Sequence, residues 1–317
     1  MRKIIAVLLL LCAVGVVGAW YFLRHRHGAS QGLPELRAMM RDEDAPRAIE
    51  PSIALDVNDT ADAKVWAGAA VWFSIGANNA AAANEIASAQ ALKSKLERLP
   101  ANAPGKERLR AVWQQRANPA KITLGSAAHP WTEAIQLLIR DASLGERPLG
   151  IPLQLLGSPP TVVELDAYTS VRANFGATSF PLPAGTYAIV ACLGASGSWQ
   201  GRICSEPGNL TVADRPQRFT KEQQVAEDEQ GARFALLAGN PQALDEYGHK
   251  LVAADPDSVS GHMYLGEANF RQGKWDDALR EFTTARSQFG QRHPTAIEPP
   301  QFLNVRINQS MERSSSK

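Results

Sequence analysis

The stretch Tyr264-Leu265-Gly266-Glu267-Ala268-Asn269-Phe270-Arg271-Gln272-Gly273-Lys274-Trp275-Asp276-Asp277-Ala278-Leu279-Arg280-Glu281-Phe282-Thr283-Thr284-Ala285 decides how the carboxyl-terminal part of the chain is read. Along it the large residues Leu265, Phe270, Trp275 and Phe282 are interleaved with the small ones Gly266, Ala268, Gly273, Ala278 and Ala285. A weaker copy lies upstream. There Phe234, Leu237 and Gly239 end one helical segment, Ala243, Leu244, Tyr247 and Leu251 form the next, and Pro256 closes it. Downstream of Pro299 and Pro300, the residues Phe302, Leu303, Ile307 and Met311 fall near helical intervals, predicting a capping helix over 299–313 and a disordered Ser-rich tail at 314–317.

Taken together, Leu265, Gly266, Ala268, Phe270, Gly273, Trp275, Ala278, Phe282 and Ala285 resemble a tetratricopeptide repeat. The resemblance implies two antiparallel helices per repeat, with Gly266 and Ala278 small where the helices approach and Phe282 filling the gap between repeats. His262 stands where the family has Trp, and Asn269 where it prefers an aromatic residue. Two such hairpins, over 221–291, bury too little apolar surface to stand alone, because stacked repeats supply each other's core. Either the 299–313 helix or the preceding domain is expected to cap them. The first helix of a repeat lines the groove, so the resemblance points to His262, Asn269 and Arg233 as contacts to another protein.

Between 52 and 214 the pattern changes to short β-rich runs separated by turns. Ile53–Val57, Ala70–Ile75, Lys121–Leu124, Ala134–Ile139, Val162–Leu165, Tyr187–Leu193 and Gly201–Cys204 are rich in β-branched and aromatic residues, which predicts a β-sandwich. From Leu182-Pro183-Ala184-Gly185-Thr186-Tyr187 through Trp199-Gln200-Gly201 to Leu210-Thr211-Val212 the sequence resembles the closing hairpin and last strand of immunoglobulin-like bacterial modules, with Tyr187 in the place of their tyrosine corner. One stretch departs from this. Ile86, Ala89, Leu92, Leu96 and Leu99, then Leu109, Val112 and Trp113, recur at helical spacing around Pro100 and Pro104, predicting a helical hairpin inserted over about 80–116.

The amino terminus addresses the compartment. Arg2 and Lys3 precede the uncharged apolar run Ile4–Leu23, whose roughly 20 residues at about 1.5 Å each match a bilayer's hydrocarbon. Trp20, Tyr21 and Phe22 suit the headgroup layer. Residues 1–27 therefore read as a signal anchor with a transmembrane helix over 4–23, a single pass through the inner membrane with the body in the periplasm. The competing reading is a signal peptide cleaved after Ala19, which releases a periplasmic or secreted protein. Residues 28–51 read as a flexible stalk. Cys192 and Cys204 flank the turn Gly194-Ala195-Ser196-Gly197-Ser198, so a hairpin could set their sulfurs opposite one another. The alternation of Tyr187, Ile189, Ala191 and Leu193 assigns Cys192 to the outward face. A disulfide there fits an oxidising compartment; two unpaired thiols are the alternative.

The charge balance is nearly even, with 33 Lys+Arg against 32 Asp+Glu, which gives the chain no electrostatic reason to seek nucleic acid. The six histidines fall in no metal-ligand spacing. Gly194–Ser198 misses the nucleophile-elbow pattern at its last residue. Asp56, Asn58, Thr60 and Asp62 alternate like the start of a calcium loop, but Ala61 and Ala67 replace the glycine and glutamate that such a loop needs. No catalytic residue, metal or cofactor is expected. The sequence thus predicts a multidomain α+β protein: an N-terminal transmembrane helix, an immunoglobulin-like β-sandwich with an inserted helical hairpin, and a C-terminal α-α unit. The function it suggests is non-enzymatic binding of another protein in the envelope. The alternatives are a structural assembly subunit that self-associates, or a carbohydrate-binding sandwich with Trp199 as an aromatic platform.

Overall fold

The computed structural model describes residues 50–141, 145–295 and 299–316. They form two compact units, one built from 79–122 with 166–168 and the other from 51–78, 123–165 and 169 onward. The first is a helical hairpin. Its helices α1 (Ala80–Arg98) and α2 (Lys106–Ala117) pack through Leu92, Leu96 and Leu109, with Leu99, Val112 and Trp113 at the edge. Asn79 caps α1 by accepting the Ala82 N–H, and Arg116 reaches across to Glu85 at 3.5 Å.

The second unit opens with strands β1 (Ser52–Val57), β2 (Asp62–Trp66), β3 (Val71–Asn78), β4 (Ile122–Leu124), β5 (Ile135–Asp141), β6 (Gly145–Pro148), β7 (Gln154–Leu156), β8 (Val163–Leu165), β9 (Ser170–Ala177), β10 (Gly185–Leu193), β11 (Ile203–Cys204) and β12 (Gly208–Ala213). One sheet has the order β1-β3-β9-β7 and a second the order β2-β12-β10-β5-β6, with β11 paired to β10; β4 and β8 make a small separate pair. All neighbours in the two large sheets run antiparallel except β2 and β12, which are parallel. The sheets face one another across a shared core: Leu55, Val57, Phe73 and Ile75 come from the first, and Val65, Ile139, Ile189, Ala191, Leu210 and Val212 from the second. Alternation along each strand supplies this inner face.

Two strands are buried on both faces, and the period-two rule by itself hides that. In β10, Ile189 and Ala191 enter the shared core, while Val190 and Cys192 join Leu138 in a separate cluster on the other side. Cys192 does face away from the sandwich core, yet it is only 1% exposed. In β3, Trp72 and Ser74 point away from the core and are buried all the same, Trp72 under Phe234 of a later helix and Ser74 against Asp59 and Asn174.

The remaining helices are α3 (Lys221–Ala238), α4 (Pro241–Ala254), α5 (Val259–Arg271), α6 (Trp275–Arg292) and α7 (Gln301–Ser314). Their starts are written in the sequence. Thr220 and Gln223 form a reciprocal capping box on α3, Asn240 caps α4 with Pro241 in its first turn, and Ser258 caps α5. Gly239 and Gly273 end α3 and follow α5 with φ of +68° and +75°, a backbone that other residues enter only with strain.

The transmembrane helix in the predicted fold class is corrected here. Among the described residues no helix is long and apolar enough to cross a membrane. The longest, α1 with 19 residues, carries Glu85, Lys93, Lys95, Glu97 and Arg98, charges a bilayer core does not accept. The segment 4–23, and with it the signal anchor and stalk, lies outside the described residues. What stands is a mixed α+β architecture with seven helices and three sheets among the described residues.

Helix packing in the carboxyl-terminal part depends on glycine against bulk. A Cβ on Gly266 would lie 2.7 Å from the Phe282 ring, one on Gly248 would lie 2.8 Å from Leu265 Cγ, and one on Gly231 would lie 2.3 Å from Tyr247 Cζ. Gly266→Ala is therefore expected to lower stability by about 1–3 kcal/mol through overpacking. Gly290→Ala on α6, where nothing lies within 4 Å of the added methyl, is expected to raise it by roughly 0.5–1 kcal/mol. Urea unfolding of the two variants beside the parent tests both signs.

Candidate partner-binding face

The five helices α3–α7 pack in sequence order, and the two ends of the array are closed differently. At the first end, Phe234 of α3 sits on the outer face of the β1-β3-β9-β7 sheet with Trp72 and Leu156, flanked by Leu237 and Ala238. Gly176 makes room for it: a Cβ there would come within 2.7 Å of the Phe234 ring. Polar contacts surround this clasp. Gln230 donates to the Ala70 carbonyl at 2.5 Å, and Arg233 donates through Nε to Asp59 at 2.7 Å. Asp59 belongs to a tight turn in which Asn58 and Asp59 both have positive φ, 50° and 63°, and in which Asn58 Oδ1 accepts the Trp72 N–H. The stretch weighed above as the start of a calcium loop is this turn, and its acid docks on α3. Beside the clasp a cavity of 280 Å³ opens, lined among others by Ala69, Thr178, Glu227 and Tyr247, with Arg215 paired to Glu227 at 2.8 Å.

At the other end α7 lays Leu303 and Ile307 against Phe270, Ala278, Phe282 and Ala285. Burying two such aliphatic side chains contributes about 1.5–3 kcal/mol each. The residues singled out from sequence as packing positions are brought together here. Ala268 lies in the neighbouring cluster with Ala232, Leu244 and Leu251, Leu265 lies over Gly248, Gly266 lies under Phe282, Gly273 makes the α5–α6 turn, and Trp275 packs beside Phe270.

The three residues expected to touch a partner are placed differently. His262 is an internal strut: Nδ1 lies 2.8 Å from Glu281 Oε2 and Nε2 lies 3.0 Å from the Pro256 carbonyl oxygen, with both side chains largely buried. The His262–Glu281 hydrogen bond joins α5 to α6. Arg233 is held by Asp59. Asn269, half-exposed like Arg233, is the one of the three with no side-chain partner among the described residues.

The face that α5 turns toward α3 and α7 instead carries Ser260, Tyr264, Glu267 and Arg271. Ser260 donates to Glu229 on α3 at 2.7 Å. Burial pushes the Tyr264 phenol above its usual pKa, so it stays neutral. Glu267 is only 2% exposed and receives Arg271 Nε at 2.8 Å and Arg306 Nη2 of α7 at 2.9 Å. Arg271 also donates to the Leu236 carbonyl on α3, which ties three helices together. Sequence reasoning missed this set because Arg306 lies outside the repeats and Glu267 resembles any solvated helix residue. The spacing of Glu267 and Arg271, four apart, was the available signal.

α7 also carries three of the six exposed large apolar side chains among the described residues: Phe302 at 42%, Val305 at 44% and Met311 at 54%. Trp199, weighed as a sugar platform, is folded back over Gly201, whose Cβ would meet its ring at 2.4 Å. Cys192 and Cys204 sit in direct register on β10 and β11 and form a disulfide, compatible with an oxidising compartment outside the cytoplasm.

No protein-family model and no curated protein matches the chain. Among solved structures, the secreted serine protease VesC from Vibrio cholerae is similar at a TM-score of 0.25 and 10% identity, over 55% of this chain and 26% of that one. A likeness that low carries neither fold nor activity across.

Glu267→Gln leaves Arg271 and Arg306 without a counter-charge. A loss of about 2–3 kcal/mol is expected, at or below the lower end for a broken buried pair because both guanidiniums keep some contact with water. Urea unfolding of the full chain measures it, and an unchanged midpoint would show that the carboxylate is not the keystone described here.

Proposed function

We propose that this chain is a non-enzymatic protein-binding module of an oxidising compartment, the periplasm or the exterior, and that the partner docks on the α5–α7 end of the helical array. The observation that carries the reading is the division of labour between the two ends. α3 is committed to the sandwich through Phe234 and Arg233, while α7, at the far end, keeps Phe302, Val305 and Met311 in water. Monomeric surfaces scatter such residues singly, and their concentration on one helix favours a contact surface. The resemblance to tetratricopeptide repeats supports a binding role, and the glycine-against-bulk packing at Gly266 and Phe282 is what that resemblance leads one to look for. Support for the immunoglobulin-like reading comes from the parallel β2–β12 pairing and from Tyr187, whose hydroxyl donates to the Pro183 carbonyl at 2.7 Å. In this reading the sandwich is the mount and the array is the reader.

The test is site-specific photocrosslinking in cells. A benzophenone side chain at the exposed Asn308 of α7 is expected to capture a discrete second protein, and one at the exposed Lys64 of β2 is not. Val305→Glu with Met311→Glu is expected to abolish the adduct. Absence of any adduct from α7, or an adduct untouched by the double substitution, would overturn the assignment. An adduct consisting of a second copy of this chain would make the face a self-association surface instead.

A further inference from the structure

We propose that the turn end of the α1–α2 hairpin is a docking surface for the anionic phosphodiester headgroups of a lipid bilayer, which the protein touches without crossing. Between Lys93 and Arg110 six basic residues, Lys93, Lys95, Arg98, Lys106, Arg108 and Arg110, stand against Glu97 and Glu107. The excess is four, and it is still three with Arg108 left out, which has a partner within the chain. With 33 basic and 32 acidic residues in the whole chain, everything outside this stretch is net acidic.

The two ends of the hairpin differ in charge. The chain enters α1 from β3 at Asn79 and leaves α2 for β4 after Ala117, and near that end Arg116 is answered by Glu85. At the other end, about 28 Å of helix away, the basic residues gather around the turn 99–105. Lys93, Lys95, Arg98 and Arg110 are exposed there. Arg110 is held by Glu107 at 2.7 Å, while among the described residues no carboxylate pairs Lys95 or Arg98. Lys106 folds back to donate to the Leu99 carbonyl at 2.7 Å, which closes the turn and fixes a cation on it.

The arrangement suits a flat anionic layer. Helical spacing sets Lys93 about 200° from Lys95 around α1, and Arg108 about 200° from Arg110 around α2, so the cations lie on opposite sides of each helix. What they share is the end of the hairpin and not a side face. A plane of phosphates meeting that end engages them together, whereas a linear polyanion lying along one face engages a few. The turn itself, Pro100-Ala101-Asn102-Ala103-Pro104-Gly105, carries no charge, and its two prolines present no N–H. Such a turn enters a headgroup layer without stripping water from an ion. Trp113, the one aromatic ring of the hairpin, is half-buried with Lys93 over it at 5.8 Å, which leaves no open platform for stacking a nucleic-acid base. A layer that attracts this end repels the acidic remainder of the chain, so the approach is oriented.

The test reads the turn itself. A dansyl side chain in place of Ala101 in the full chain is followed by fluorescence as vesicles of phosphatidylcholine, alone or with about a third phosphatidylglycerol, are added. The mixed vesicles are expected to shift the emission to the blue and the neutral ones to leave it in place. Raising the salt from about 0.05 M to about 0.5 M should abolish the shift. Lys95→Gln with Arg98→Gln should need at least about tenfold more anionic lipid for half the shift. Circular dichroism checks that this variant keeps its helices, and if it does not, the salt series on the parent carries the test. An equal shift with neutral vesicles, no shift at all, a shift that salt leaves unchanged, or a folded variant equal to the parent would overturn the proposal. The same shift on adding polyglutamate or oligothymidylate at matched charge would overturn it too, making the turn a site for acidic polymers. None of these residues belongs to the helical array, so failure here leaves the α7 reading to its own photocrosslinking test.

Discussion

A short stack of helices has two raw ends, and closing them is the constraint on which the rest of this structure depends. Each hairpin hides one face against its neighbour, so the first and last helices each expose a stripe that water penalises. Here the first stripe is covered by a β-sheet and the last by α7. The covering sheet had to be modified to accept a helix. β3 carries Trp72 on its outer side, and β9 carries Gly176, where any side chain would collide with Phe234. The sandwich and the array thereby share a buried interface, which explains why an outward-facing strand position such as Trp72 is as buried as the core.

Polar groups then fix the registers that apolar packing leaves loose. The Arg233–Asp59 pair holds α3 against the β1–β2 turn, His262 spans from the start of α5 to Glu281 of α6, and Glu267 gathers Arg271 and Arg306. Buried or half-buried charges of this kind contribute modestly to stability when intact and cost much more when one partner is removed. Their value lies in specifying one arrangement of five short helices whose apolar contacts alone would tolerate sliding. The same requirement bears on the residues that the sequence offered as partner contacts. His262 and Arg233 occupy the first helices of their hairpins, as expected of groove residues, but both side chains are engaged within the molecule.

Beyond these struts lies the last helix of the array. α7 is amphipathic in an incomplete way: Leu303, Ile307 and Ser310 face inward, and Phe302, Val305 and Met311 remain in water. A helix serving only as a cap would be expected to present polar residues there. Stacked against Phe270 and Trp275, its arginines form an ordered cationic surface on an array that is acidic as a whole.

The sequence by itself determined the local elements. Caps at Thr220, Asn240 and Ser258, interleaved small and large residues from Leu265 to Ala285, and β-branched runs such as those of β1, β3 and β10 are short-range signals that survive without neighbours. It missed β2, β6, β7 and β9, whose polar or glycine-rich residues form strands only because a partner strand supplies the hydrogen bonds. It also could not tell that Cys192, on the side of β10 away from the core, is buried, or that Asp59, Arg233 and Tyr264 lie close together, since these facts come from contacts between separate elements of the chain. Periodicity reports which side of an element is apolar. Which surfaces are covered was decided by the tertiary structure, because burial is a property of what packs on top and not of the residue beneath.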